Sequence, residues 1–283
     1  LPGILYTSAG NRYNHHMKIY ISADIEGISG VTVWDETHQP GPDYPAACRQ
    51  MTAEVRAACE AALACGATDI LVRDAHGTAR NIIHADLPQQ ARLVRNWSGG
   101  PLMMMEGLDK TFAAAIYIGY HARSGSAENP LAHTMSTTMS EFLINGKPVS
   151  EFDINALAAA EIGVPSVFIS GDRGACEQAK TLVPRIGTAQ IKYAAGDATV
   201  DIHPRKAVQM IFDGVNAALS RDNLKDCLPK PPKKMLVELR FKEPRKASRM
   251  ACYPNAKQTG RLNVQIQCRG AMEILKIIQL IYG

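Results

Sequence analysis

Ser22-Ala23-Asp24-Ile25-Glu26-Gly27, directly after the apolar run Ile19-Tyr20-Ile21, is the stretch on which the fold turns. A strand alternates its side chains, so Asp24 and Glu26 point the same way where the strand ends. Two acids on one side repel each other unless a positive group sits between them, and a metal ion is the usual one. Two further apolar runs end in the same manner. Asp69-Ile70-Leu71-Val72-Arg73-Asp74-Ala75-His76 carries an imidazole at its end, and Ala115-Ile116-Tyr117-Ile118-Gly119-Tyr120-His121 carries another. Open parallel sheets collect ligands at the carboxyl ends of their strands. Three strands closing in Asp, Glu or His are what that rule leads one to expect of a metal site.

A fifth donor comes from a different context. Asn145-Gly146 reads as a tight hairpin turn, because it accepts the positive φ angles of type I′. Ser150-Glu151-Phe152-Asp153 then opens a helix, with a capping-box-like start, that runs through Asn155 to about Ile162. Glu151 falls in the first turn, where the helix dipole favours an acid. Each residue alone has a plainer reading, since acids after strands often cap the next helix and a lone loop histidine is usually only that. Recurrence at several strand ends is what makes the set a candidate site.

The donors are carboxylate oxygen and imidazole nitrogen, which suits zinc and also manganese or cobalt. A metal held by such donors can bring the pKa of its water down to about 7.

These residues carry a family resemblance. The segment Ser22 to Gly30, Asp74-Ala75-His76, Glu106-Gly107-Leu108-Asp109 and Gly119-Tyr120-His121-Ala122-Arg123 are part of it. Ala132-His133-Thr134-Met135 and Glu151 with Asn155 complete it. In that order and spacing the chain resembles the zinc-dependent D-aminopeptidases of the dipeptide-transport (DppA) type. The match is strong from Met17 to about Asp172 and weaker beyond. The resemblance implies two zinc ions bridged by Asp24, with Glu26 and His121 completing one site and His76 and Glu151 the other. It implies His133 as the non-ligand catalytic residue, acting as acid/base or as an oxyanion donor. It also implies a metal-bound hydroxide as nucleophile, short D-peptides or amino-acid amides as substrates, and a self-compartmentalising homodecamer. Ala75 and Ala132 stand where the family carries serines, so a supporting hydroxyl is missing at each place. The metal chemistry alone equally fits an L-aminopeptidase, an amidase or a phosphoesterase, and a non-catalytic peptide-binding protein is a further alternative. For a phosphoesterase only Arg123 and Arg173 are obvious anion-binding candidates.

The expected fold is α/β, a mostly parallel sheet in a three-layer αβα domain with a second, smaller α+β domain. Residues 17–190 form the first and 191–283 the second, with the hairpin near 140–150 packing on the latter. Residues 1–16 read as a leader, which makes His15 and His16 irrelevant to catalysis. A polar, proline-containing loop over the site is expected from Gly30 to Pro45, then a helix to about Cys65 capped by Gly66. Asp172 or Asp74 is expected to orient a ligand histidine. Met103-Met104-Met105 reads as core or pocket-wall packing.

The 283 residues are 46% hydrophobic and 20% charged, which is ordinary for a globular protein. There is no apolar run of transmembrane length. Seven scattered cysteines without a C-x-x-C pair read as reduced thiols of a cytoplasmic protein. The net charge of +4 is mild, and the late basic residues from Lys230 to Arg249 interleave with prolines. They read as a solvated or subunit-facing surface, with no nucleic-acid partner.

Overall fold

The computed structural model describes residues 17–282; the expected leader at 1–16 lies outside them. In chain order the first half comprises β1 (Met17–Ala23), α1 (Tyr44–Ala64), β2 (Ala67–Asp74), β3 (Ala91–Val94), β4 (Ala114–Tyr120), β5 (Met139–Ile144), β6 (Lys147–Pro148) and α2 (Glu151–Ile162). Then come β7 (Ser166–Asp172), α3 (Arg173–Leu182), β8 (Gly187–Ala195), β9 (Ala198–Asp201), α4 (Pro204–Leu219), β10 (Met235–Phe241), α5 (Pro244–Met250), β11 (Ala256–Gln258), β12 (Asn263–Cys268) and α6 (Ala271–Tyr282).

Seven strands form one sheet in the order β3-β2-β1-β4-β7-β8-β9. Every neighbouring pair is parallel except the last, in which β9 runs antiparallel to β8. Every residue of β4 and β7 is buried. Continuous burial of that kind arises when helices cover both faces of a parallel sheet. Helices α1 and α4 pack on each other, α2 packs on α3 and α6, and both groups reach the sheet.

The chain order departs from β1 in two directions. β2 and β3 follow on one side, while β4, β7 and β8 follow on the other. The sheet therefore has its topological switch between β1 and β4, which is where open α/β sheets bind ligands. Asp24 and His121 are the residues that follow these two strands.

A second sheet, β11-β12-β10-β5-β6, is antiparallel throughout. The Asn145-Gly146 hairpin supplies its β5 and β6, and both turn residues have the positive φ expected of them.

The boundary expected at 190/191 does not separate the two sheets. Ile191-Lys192-Tyr193, read as the opening strand of the smaller unit, lies within β8 and pairs with β7. Helix α4 likewise belongs with the parallel sheet. Its buried stripe, Ala207, Ile211, Val215, Ala218 and Leu219, packs on α1 and β8. An isolated strand pattern does not encode which sheet it joins, and the amphipathic stripe of α4 needed an apolar helix face that α1 supplies.

Candidate metal centre

Two backbone crossings fix the end of β1 against the end of β4. The Asp24 amide donates to the Ile118 carbonyl at 2.8 Å, and the Gly27 amide donates to the Gly119 carbonyl at 2.9 Å. The approach leaves no room for side chains. A Cβ on Gly27 would stand 1.9 Å from the Tyr120 carbonyl oxygen, and one on Gly119 would stand 2.3 Å from that of Asp24. Gly119 also takes φ +71, a left-handed conformation that favours glycine. These two glycines bring Asp24, Glu26 and His121 into one place.

Glu151 arrives from the first turn of α2. Ser150 accepts a hydrogen bond from the Asp153 amide, and the Asp153 carboxylate accepts from the amide and hydroxyl of Ser150. The helix start expected there is a closed capping box. Glu151 in turn accepts a 2.6 Å bond from the Met135 amide, which pins the loop that carries His133.

All six predicted site residues converge. His76 Nδ1 lies 3.1 Å from Asp24 Oδ1 and 3.0 Å from Glu26 Oε2. His121 Nε2 lies 3.6 Å from both Asp24 Oδ2 and Glu151 Oε1. His133 Nε2 lies 3.4 Å from Glu151 Oε1. Donor atoms within 4.8 Å of one another fall into the groups Asp24–Glu26–His76, Asp24–His121–Glu151 and Glu26–His121–His133. Asp24 is common to the first two, as a bridging residue would be. His121 is thus within reach of both Glu26, its partner in the resemblance, and Glu151, while His76 lies beside Asp24 and Glu26.

Each ring is oriented by a backbone carbonyl. His76 Nε2 donates to the Thr37 carbonyl at 2.9 Å, and His121 Nδ1 donates to that of Ala122 at 2.9 Å. A carbonyl only accepts, so the facing nitrogen carries the hydrogen and the other nitrogen turns its lone pair to the cluster. Neither Asp74 nor Asp172 does this job, contrary to the sequence expectation. Asp74 accepts from the Asn81 and Ile82 amides and folds the loop after β2. Asp172 accepts from the Ala122 and Ala175 amides, holding the peptide behind His121 and capping α3. Thr37 lies in the loop expected over the site, but nothing in the sequence marks a main-chain carbonyl as a partner.

The electrostatics show a site short of positive charge. Burial and the neighbouring Glu26 push the Asp24 carboxyl well above the usual range. Burial also opposes ionisation of Glu26, but His76 and His121 outweigh it and hold Glu26 low. Burial disfavours charge on His76 and His121 too, yet the surrounding carboxylates raise both. His133 differs: burial and the charge of His121 push it down. Glu26 Oε2 faces His76 Nδ1 at 3.0 Å, and His121 Nε2 lies 3.6 Å from Asp24 Oδ2 and Glu151 Oε1, yet among the described residues neither buried atom completes a well-formed hydrogen bond. Buried polar atoms are rarely left orphaned. Their orphaned state, with an all-oxygen-and-nitrogen donor set, fits one or more divalent cations.

The cluster forms one wall of a cavity of about 680 Å³, within the range of small-ligand sites. Both tryptophans of the chain, Trp34 and Trp97, line it, as do Met103 and Met104. Met103-Met104-Met105 is thus pocket wall and core together, since Met105 is fully buried. Met135, Ser136 and Thr137 beside His133 line it as well. The tryptophans went unremarked in the sequence, and their scarcity in an otherwise aliphatic chain was the available signal.

The fold and site define a metal-dependent α/β hydrolase. Residues 17–280 match the model of the M55 peptidase family, described as D-aminopeptidase, and the chain belongs to that family. It is 32% identical over 262 residues to the D-aminopeptidase of Bacillus subtilis (strain 168), covering 91% of this chain and 93% of that one. It is also similar to the solved structure of the Zn-dependent D-aminopeptidase DppA from Bacillus subtilis, a self-compartmentalizing protease. That likeness has a TM-score of 0.87 and 29% identity, and covers 94% of this chain and 97% of the other.

Proposed function

We propose that the chain is a dinuclear-zinc aminopeptidase that hydrolyses the N-terminal amide of short D-peptides or D-amino-acid amides. The observation that carries the reading is the pair of donor groups sharing Asp24. Asp24 would hold both ions, and Glu26, His76, His121 and Glu151 would complete their coordination. Zinc bound there supplies Lewis acidity toward a carbonyl and lowers the pKa of water.

The chain's own residues supply the rest. Thr37 and Ala122 keep the two ligand rings in the tautomers that ligation needs. His133 Nδ1 donates to the Leu131 carbonyl at 2.9 Å, so Nε2 is the atom free to exchange a proton. From there the neutral ring would take a proton from the attacking water and pass it to the nitrogen of the departing amine, which balances the hydrolysis. Trp34 lies against His133 with ring centroids 5.5 Å apart.

A phosphoesterase needs cations facing the substrate, and among the described residues neither lysine nor arginine lines this cavity. Arg173 is engaged with Glu128 at 2.6 Å, and Arg123 donates to the Ser124 carbonyl. A cytoplasmic homodecamer with the sites facing an inner chamber is part of the proposal; what supports its assembly is the relative described as self-compartmentalizing. No helix among the described residues is long and apolar enough to cross a membrane.

The test is hydrolysis of D-Ala and L-Ala p-nitroanilides, with metal content determined on the same sample. D-selective turnover with about two zinc per chain, as for other two-metal hydrolases, is the expected result. L-selective turnover would keep the chemistry and remove the stereochemistry. Two metals without amide hydrolysis would overturn the reading.

A further inference from the structure

Four acids line the cavity: Asp24, Glu26, Glu151 and Glu106. The first three belong to the metal cluster. Glu106 does not, and its carboxylate has neither a hydrogen bond nor an ion pair among the described residues. The carboxylate is nevertheless held firmly from behind. Its backbone carbonyl accepts from the Tyr20 hydroxyl at 2.9 Å, and its amide donates to the Met103 carbonyl at 3.1 Å. Gly107 follows at φ +87, and a Cβ there would meet Leu71 at 2.8 Å. The chain must therefore turn at this point with Glu106 fixed on the turn.

The surroundings favour a cationic guest. Trp97, Met103 and Met104 make the adjoining wall apolar. Beside apolar walls a carboxylate's attraction for a cation is less screened than in bulk water. Among the described residues Arg73 is a cation whose charge Glu106 feels, but no hydrogen bond or ion pair joins the two, and Arg73 Nε and Nη2 are buried without a hydrogen-bond partner. Its guanidinium lies 4.3 Å from the Trp97 ring centroid, and it donates to the Asn96 carbonyl. The Glu106 carboxylate lies against Gly100, where a Cβ would stand 2.9 Å from its Oε2.

We propose that Glu106 is a specificity-determining residue that binds a primary ammonium group of the substrate. This rests on the aminopeptidase reading, since a substrate with its amide at the metal cluster occupies the same cavity. The ammonium is either the free α-amine or the end of a long basic side chain. Both present the same chemistry to the carboxylate.

The experiment compares wild type, E106Q and E106D on D-Lys and D-norleucine p-nitroanilides, with zinc content and melting temperature measured on each. The expected result is a KM at least about tenfold higher in E106Q, a size reasonable for one charge-assisted hydrogen bond. Zinc content should be retained, kcat should fall less than KM rises, and E106D should recover part of the KM. A rise for D-Lys alone assigns the side-chain ammonium, and a rise for both substrates assigns the α-ammonium. KM values within twofold of wild type for both substrates would overturn the proposal. So would a loss in kcat, zinc content and melting temperature together, because that marks Glu106 as a structural counter-charge to Arg73. Absence of turnover in the wild type would overturn the aminopeptidase reading and this inference with it.

Discussion

His121 and His133 lie face to face, with ring centroids 4.3 Å apart and planes 15° from parallel. The stack joins a ring whose free nitrogen faces Asp24 and Glu151 to one whose free nitrogen lies 3.4 Å from the same Glu151 Oε1. The two histidines are alike in type and close in space, but their surroundings assign them different work.

The first prediction follows from that contrast. H133A should lower kcat by about 10²–10⁴, the usual range for a general acid–base group, while zinc content stays near wild type. H121A should lower zinc content and activity together. Metal analysis beside steady-state kinetics checks both. Equal zinc loss in the two variants would contradict the division of roles.

Gly27 should tolerate no side chain. Its Cβ would stand 1.9 Å from a backbone oxygen, which cannot rotate away as a side chain can. G27A should cost roughly 1–3 kcal/mol of stability, as overpacking does, and reduce zinc content, because the same loop carries Asp24 and Glu26. Chemical denaturation and metal analysis read the two effects. A wild-type midpoint in G27A would show that β1 and β4 do not approach as described.

A third prediction concerns pH. Glu54 on α1 is buried, with Oε1 accepting from the Ser29 amide and from Gln50 and with Oε2 unpartnered. Burial pushes its pKa up to about 7, against opposing hydrogen bonds from Gln50 and Ser29 and the charge of Lys192, with Asp201 also facing it. A carboxyl whose folded pKa lies above its unfolded value favours the folded state at low pH. That contribution is full below about pH 4.3 and is lost as pH rises through 7. It amounts to something on the order of 3 kcal/mol. E54Q should therefore show a flatter stability profile than wild type between pH 5 and 8. Parallel profiles from urea denaturation would contradict this.

Much of the site was legible because it rests on local rules. The apolar run of β1 pointed to Asp24 and Glu26, although both lie in the loop after the strand and not on it; the ends of β2 and β4 gave His76 and His121, and the capping residues around Ser150 located Glu151. What escaped the sequence is tertiary. Thr37 and Ala122 hold the histidine rings through carbonyls that every residue possesses, so no side chain announces them. Strand β8 joined the parallel sheet by pairing with β7, and helix α4 joined it because α1 offered a partner face; their own patterns specify neither. The grouping of His76 with Glu26 depends on how three loops pack, and spacing along the chain does not encode it.

Asp24 is the residue on which the account depends most, because it alone is common to the two donor groups that include His76 and Glu151. The most direct measurement is zinc content per chain in wild type and D24N, with turnover on the same samples. The account predicts about two zinc per chain in wild type, in line with two-metal hydrolases. In D24N both ions should be weakened and activity abolished. Full activity with unchanged zinc content in D24N would contradict the shared-aspartate centre.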